Sequence, residues 1–354
     1  MSILFIGKRF YTNRDAYTEK FGRIYQLPYY WSKEKKTILW LIDYHSKEKI
    51  KDQHDSLKVL STPILSLFFI LTILKVILVH RPKTIIASGD CYIGLFTYIL
   101  AKLCGSKFIL DVYDKYDTFS GYRNLGFKNL FKFLLKNAEI CFFASKKLKS
   151  DCKYICKKSI LVPNGVDTNH FYPRNRNSSR YHFNLDINKI YLGYFGSMEI
   201  ERGIDDLIKV TQILREKNKN IYILLAGKKR KDLNIDYDFI HYLGNISFSD
   251  VPLAMACCNL LTLPYRNSNF LDNASSCKIS EYISMNIPII ATKSENTLNT
   301  LSKNSHQNVI FCPLNDLNEM SSSIEKQIFI PKSNHSHKPD ILTWYEISKI
   351  SFKN

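Results

Sequence analysis

Acidic side chains are scarce in this 354-residue chain: 32 Asp and Glu stand against 50 Lys and Arg, a formal net charge of +18 at pH 7. The deficit is uneven, because residues 1–170 carry 28 basic and 14 acidic groups (+14) and residues 171–354 carry 22 and 18 (+4). Basic surfaces attract nucleic acid, anionic membrane or phosphorylated substrates, and charge alone does not choose among them. No stretch combines aromatic and basic residues as a nucleic-acid recognition motif does, which makes that class the weakest. The chain also lacks an apolar run long enough to span a bilayer. Ile64 to Val79, broken only by Ser66, Thr72 and Lys75 and ended by His80, Arg81 and Pro82, falls short of the roughly 20 residues required. Two readings of that segment stand: a helix buried against a sheet, or a helix in the membrane interface with lysines toward headgroups. A secretory leader pattern is missing too, since the apolar start Ser2 to Ile6 is short and leads into Lys8 and Arg9. Nine cysteines, an odd number scattered at 91, 104, 141, 152, 156, 257, 258, 277 and 312, suit a reducing compartment better than a disulfide framework. Cys152 and Cys156 have no nearby Cys or His pair to complete a zinc site. A cytoplasmic protein is expected.

What is present is two rounds of alternating strand and helix. The length suggests two domains, and 45% apolar residues suffice to fill both. In the first half, strands are expected at Ile3–Ile6 and Thr37–Ile42, then a long helical stretch to Val79, and further strands at Thr84–Ala87, Lys107–Asp111, Glu139–Phe143 and Ile160–Val162. Helices at Tyr92–Leu103, Leu125–Lys136 and Lys146–Cys156 separate those later strands. The second half repeats the scheme from Ile190 to Ala291, and a last helix is expected over Trp344–Ser351. Short apolar runs bounded by Gly, Pro and Asn are how buried parallel strands read. The fold class is therefore α/β, with ligands expected at the carboxyl ends of the strands.

Three segments carry the chemistry. Midway lies Val162-Pro163-Asn164-Gly165-Val166-Asp167, with Phe171 and Pro173 after it. Pro163 and Gly165 bracket Asn164 and imply a sharp turn, with Gly165 free to take a positive φ. A polar linker from Pro173 to Asn184 is expected to follow. The second segment runs from Gly193 through Gly196, Ser197, Arg202 and Gly203 to a helix start at Asp205 and Asp206. A glycine-bearing strand-to-helix turn offers backbone N–H groups to an anion, and Arg202 adds positive charge of the sign a pyrophosphate needs. The third comprises Asn273, Ser275, Ser276, Lys278 and Glu281, a polar loop of small residues opening a helix that leads to Pro288 and an apolar strand. Its amides and helix dipole favour phosphate or sugar oxygens, and Glu281 can accept two hydroxyl hydrogen bonds as ribose diols are commonly held.

Together these motifs resemble the retaining GT-B glycosyltransferases of family 4. The resemblance implies two Rossmann-like domains facing an interdomain cleft: an acceptor-binding domain over 1–170, a nucleotide-sugar-binding domain over 171–335, and a C-terminal helix within 336–354 that crosses back. The family's second glutamate, the ribose ligand, falls on Glu281; its first falls on Asn273, which keeps hydrogen bonding and loses charge. The pyrophosphate lysine matches Arg202. A companion arginine is replaced by Ser197, leaving Arg202 and Lys278 to supply positive charge. The family's catalytic-region His-Asp corresponds to Tyr113 and Asp114, so Asp114 is a catalytic candidate beside Arg202 and Lys278, without its histidine. Gly196, Ser197, Ser275 and Ser276 join the donor side. The glycine pair usual after the first strand is reduced to Gly7, and the loop beyond offers Arg9, Asn13, Arg14 and Arg23 toward an acceptor.

The expected activity is transfer of a sugar from a nucleotide diphosphate to a glycan or lipid-linked acceptor in surface polysaccharide (lipopolysaccharide or capsule) synthesis. No metal or other cofactor is required if Arg202 and Lys278 stabilise the departing diphosphate. The expected partners are the nucleotide sugar, the acceptor and an anionic membrane, with the protein peripheral on the inner face of the plasma membrane and not bound to nucleic acid. The alternatives are a GT-B-fold sugar-nucleotide epimerase and, last, a basic nucleic-acid-binding protein.

Overall fold

The computed structural model describes residues 2–11, 14–45, 48–116, 129–273, 275–300, 308–329 and 341–352. Its contacts fall into two compact units: Met1–Gly165 with Asn273–Ser275 and Trp344–Asn354, and Val166–Asp272 with Ser276–Thr343.

The strands of the first unit are β1 (Ser2–Lys8), β2 (Phe10–Tyr11), β3 (Arg14–Asp15), β4 (Lys36–Asp43), β5 (Ile50–His54), β6 (Leu57–Pro63), β7 (Thr84–Ser88), β8 (Lys107–Val112), β9 (Ile140–Phe143) and β10 (Ser159–Leu161). Eight of them make one sheet in the order β10-β9-β8-β7-β1-β4-β6-β5. All its pairs are parallel except β5 on β6. The central strands are buried along nearly their whole length, so they read as continuous apolar runs rather than alternating ones. Helix Cys91–Cys104 shows how locally the ends are fixed. Asp90 accepts hydrogen bonds from the N–H groups of Tyr92 and Ile93, and Gly105 closes the helix in the left-handed region. Helix Trp344–Ile350 also belongs to this unit. Trp31 Nε1 donates to the Ser348 carbonyl at 3.1 Å and to Ser351 Oγ at 2.9 Å.

The second unit holds β11 (Ile190–Phe195), β12 (Ile221–Ala226), β13 (Ile240–Tyr242), β14 (Leu260–Leu263), β15 (Ile289–Thr292) and β16 (Val309–Cys312). They form a wholly parallel sheet in the order β13-β12-β11-β14-β15-β16. Strand order reverses at β11, which leaves a crevice beyond the carboxyl ends of β11 and β14. In the first unit the equivalent point lies between β1 and β7.

Several local expectations are corrected. The chain before helix Leu67–Lys75 is not helical but makes the β5–β6 hairpin; β5 is a polar edge strand with little apolar signal. Helix Leu67–Lys75 continues as a π turn, Val76–His80. The segment Pro173 to Asn184 is not plain linker, because it carries helix Arg176–His182, opened by the Asn175 side chain accepting from Ser178 N–H. Arg180 anchors that helix from within, donating to the carbonyls of Cys257 and Ile187 and to Asn259 Oδ1. Gly165 does not adopt a positive φ. The turn there is held by Asn164, whose amide donates to the Ser275 carbonyl at 2.7 Å and accepts from Arg23 at 2.7 Å. The helix expected from Leu125 is described only from Leu130 to Asn137.

Candidate functional site

At the β11–β14 crevice the sequence-named residues Gly196, Ser197, Arg202, Lys278 and Glu281 converge around three tyrosines. Gly196 follows β11 with φ +131 and donates its N–H to the Ala226 carbonyl at 2.8 Å. A Cβ at that position would stand 2.6 Å from Lys278 Nζ and 2.9 Å from its Cε. Only glycine lets the lysine tip rest against this turn. The Lys278 ammonium donates to Tyr194 Oη at 2.8 Å and sits 4.0 Å over the Tyr194 ring. Tyr194 Oη in turn donates to the Ser197 carbonyl at 2.8 Å, so the lysine is tied to the loop whose own side chain is uncharged.

Helix Cys277–Ser284 carries Lys278, Glu281 and Tyr282, with Ser276 at its N-cap. Tyr282 Oη accepts the Phe195 N–H at 2.9 Å, which locks the helix to the end of β11. Arg202 ends a short 3-10 turn, and its guanidinium lies 4.9 Å from the Tyr265 ring centroid. Gly203 behind it is left-handed, and a Cβ there would come within 1.8 Å of the Pro264 carbonyl oxygen. The two acids of the following helix are occupied: Asp205 holds Arg230 at 2.7 and 2.8 Å, and Asp206 holds Arg266 through two contacts of 2.7 Å.

The electrostatics are those of a cation pair short of counter-charge. Burial pushes the Lys278 ammonium well below its ordinary value, the Arg202 charge adds to the effect, and Glu281 one turn along opposes it. Burial works against the Arg202 charge as well, yet Tyr265, Tyr194 and Glu201 outweigh it and hold the guanidinium above its usual range. An anion placed between these groups would relieve the strained charge of Lys278 and find a second, already stabilised cation in Arg202. The aromatic side chains Tyr194, Tyr265 and Tyr282 were not singled out from the sequence. The available signal was a tyrosine at the end of a strand, two residues before a glycine turn.

Other named residues lie in the first unit. Asn273 and Ser275 are counted there: Ser145 Oγ donates to the Asn273 carbonyl at 2.8 Å, and Asn164 N–H donates to Ser275 Oγ at 3.3 Å. Arg23 is 2% exposed, and its guanidinium grips Asp111 at 2.9 and 2.6 Å, Asn164 at 2.7 Å and the Val162 carbonyl at 3.1 Å. Ser88 Oγ donates to the same Asp111 at 2.6 Å. Arg9 is likewise held by Asp15 and Asp43 at 2.8 and 2.9 Å, and Arg14 pairs with Glu19. Arg9 and Arg23 thus brace the ends of β1, β4 and β8 with charges already matched. Asp114 is half-buried in the bend after β8; its neighbour Tyr113 donates to the Gly89 carbonyl at 2.9 Å. Asn13 lies outside the described residues.

Residues 189–328, which contain this crevice, match the family "Glycosyl transferases group 1". Similar solved structures span nearly the whole chain. Sucrose-phosphate synthase from Thermosynechococcus elongatus is 16% identical, with 92% of this chain and 89% of that one covered at a TM-score of 0.69. Anabaena HepE in complex with UDP and glucose is 14% identical, covering 93% and 90% at 0.65. The UDP-forming α,α-trehalose-phosphate synthase from Burkholderia vietnamiensis is 7% identical, covering 94% and 92% at 0.61. No curated protein matches the chain by sequence.

Proposed function

We propose that this chain, which has the GT-B fold over nearly its whole length and matches the group 1 glycosyl transferases over residues 189–328, transfers a sugar, with retention, from a nucleotide diphosphate to a glycan or glycolipid of surface polysaccharide. The observation that carries the donor assignment is the Lys278 ammonium resting on Gly196 while Arg202 stands on the next turn of the same loop. As the glycosidic bond to the diphosphate breaks, negative charge grows on the leaving β-phosphate. Lys278, Arg202 and the loop amides are fixed before the reaction, so stabilising that charge requires little reorganisation. Lys278 also fills the role vacated at Ser197: a cation from helix Cys277–Ser284 replaces one expected on the loop itself. Glu281 is proposed to take the ribose hydroxyls, and Ser276, Asn273 and Ser275 those of the donor sugar. The first unit, including Asp114, is proposed to receive the acceptor. Two positive side chains make a metal unnecessary in this reading, so chelation is expected to leave turnover unchanged. HepE is seen with UDP, which supports UDP as the first nucleotide to test.

The test is a thermal-shift comparison of UDP, GDP, CDP, ADP and TDP on the wild type, Arg202→Ala and Glu281→Ala. A ligand binding only the folded state at a hundred times its Kd adds about 2.7 kcal/mol. One nucleotide is expected to stand out and to lose its effect in both variants. If no nucleotide shifts the folded wild type, or the variants respond as it does, the donor site is wrongly placed.

A further inference from the structure

Helix Leu67–Lys75 and its continuation Val76–His80 reverse the usual arrangement of a surface helix. The inner stripe, Phe69, Ile73, Val76 and Ile77, packs on the first unit's core beside the buried hydroxyl-bearing Thr72. The outer stripe is Leu67, Leu71, Leu74 and Leu78, exposed by 68, 48, 48 and 63%. A helix apolar nearly all round belongs in a large core or a membrane, and among the described residues that outer face is left exposed. Its 14 residues, Leu67 to His80, span about 21 Å at 1.5 Å per residue, too little to cross a hydrocarbon layer of roughly 30 Å. Among the described residues no helix is long and apolar enough to cross. The apolar face extends sideways. Phe69 packs on Phe96 of helix Cys91–Cys104 at 5.1 Å, and that helix turns Ile99 and Leu103 outward, 50 and 65% exposed.

Basic residues outnumber acidic ones along this part of the chain. From Ser56 to Leu110 the only acidic residue is Asp90, and it is engaged in capping helix Cys91–Cys104. Lys58, Lys75, Arg81, Lys83, Lys102 and Lys107 lie in the same stretch. Lys49 reaches the patch from outside it, 4.7 Å from the Phe68 ring centroid. Burial and then Lys75, Lys36 and Lys58 lower the proton affinity of His80, so basic groups gather at the end of this helix. A second copy of the chain docking through the same face would set lysines against lysines. An anionic bilayer offers hydrocarbon to the leucines and phosphate to the lysines.

We propose that the face formed by Leu67, Leu71, Leu74, Leu78, Ile99 and Leu103 seats the protein on an anionic lipid bilayer, the helix lying flat in the interface. This deepens the glycolipid-acceptor reading of the function. The test is flotation of the full chain with phosphatidylcholine vesicles, with and without phosphatidylglycerol, comparing the wild type, Leu71→Glu/Leu74→Glu, Ile99→Glu and, as a control on another surface, Tyr181→Glu. The wild type and the control are expected to float with the anionic vesicles, and the face variants at least about tenfold less, since each adds charge and removes buried apolar area. Three outcomes overturn the proposal: a wild type that stays at the bottom of the gradient, face variants that float as it does, or a wild-type dimer that the substitutions dissociate. Nucleotide-induced thermal shifts report on the second unit and are expected to be unchanged in the face variants. Flotation without any nucleotide shift would leave the docking face standing and remove the donor assignment.

Discussion

The two units break the rule of apolar inside and charge outside in opposite places. The second draws a lysine ammonium into a cage of tyrosines and lowers its proton affinity; the first turns a row of leucines to solvent. Each departure is costly in the isolated chain and, in the readings proposed above, is repaired by a partner, a diphosphate in one case and a lipid surface in the other. Not every buried charge has this meaning. Arg23 is more enclosed than Lys278, yet it is matched on every side by Asp111, Asn164 and Val162. A buried cation with its counter-charge in place holds a fold together; the half-buried Lys278, only partly offset by Glu281, is where a ligand is proposed.

The largest expected effect tests that distinction. Arg23→Met leaves Asp111, fully buried, without its cation, and breaking a buried pair from one side costs about 3–5 kcal/mol. Chemical denaturation is expected to show a loss of that order in the first unit, and Arg23→Met/Asp111→Leu a smaller one because no orphan charge is left. A near-neutral Arg23→Met would place this arginine among acceptor contacts after all.

Gly196→Ala comes next. The new methyl meets the flexible end of Lys278 rather than backbone, but φ +131 strains any L side chain, a cost on the order of 1–3 kcal/mol. The fold is expected to survive while nucleotide affinity falls about tenfold or more, since 1.4 kcal/mol is a factor of ten. Isothermal titration with the nucleotide found above decides it; unchanged affinity would detach Lys278 from the donor site.

Lys278→Met has the opposite sign in stability. With its folded pKa depressed, the unfolded chain binds more protons between the folded value and the ordinary lysine value, so this group's contribution to stability rises with pH in that window. The destabilisation is complete below the folded pKa. The ligand-free variant is therefore expected to melt above the wild type at neutral pH, with the gap closing toward pH 10; in a unit of this size 1 kcal/mol is about 2–4 °C. The same variant is expected to lose the nucleotide shift. In the wild type, binding is expected to take up a proton and weaken as pH rises. A variant that melts lower at neutral pH would mean the lysine is a structural tie to Tyr194 rather than a strained ligand.

How much of this was legible in the sequence differs by unit for physical reasons. Strands buried on both faces announce themselves, so β1, β4, β11 and β12 were visible. The polar edge strand β5 was not, because its side chains face water and carry no pattern. The Gly196, Arg202 and Lys278 group was legible from residue types near turns. That Lys278 lies over Tyr194 was not, since a contact across 84 residues leaves no local trace. A basic loop after a first strand makes Arg9 and Arg23 look acceptor-facing in the sequence. Their acids, Asp43 and Asp111, lie on other strands, and only the sheet order brings them together.

The smallest expected effect is also the sharpest test of the first unit. Leu71→Glu/Leu74→Glu removes two leucines already half in water, so without lipid the change in stability should be near the ±0.5 kcal/mol of ordinary surface substitutions. The same charge placed at Ile223, wholly enclosed between β11 and β13, is expected to prevent folding of the second unit. Thermal melts of the two variants measure the contrast. If the leucine variant is destabilised by several kcal/mol, that face is covered by protein in solution and is not an uncovered apolar counterpart to the unmatched charge of the second unit.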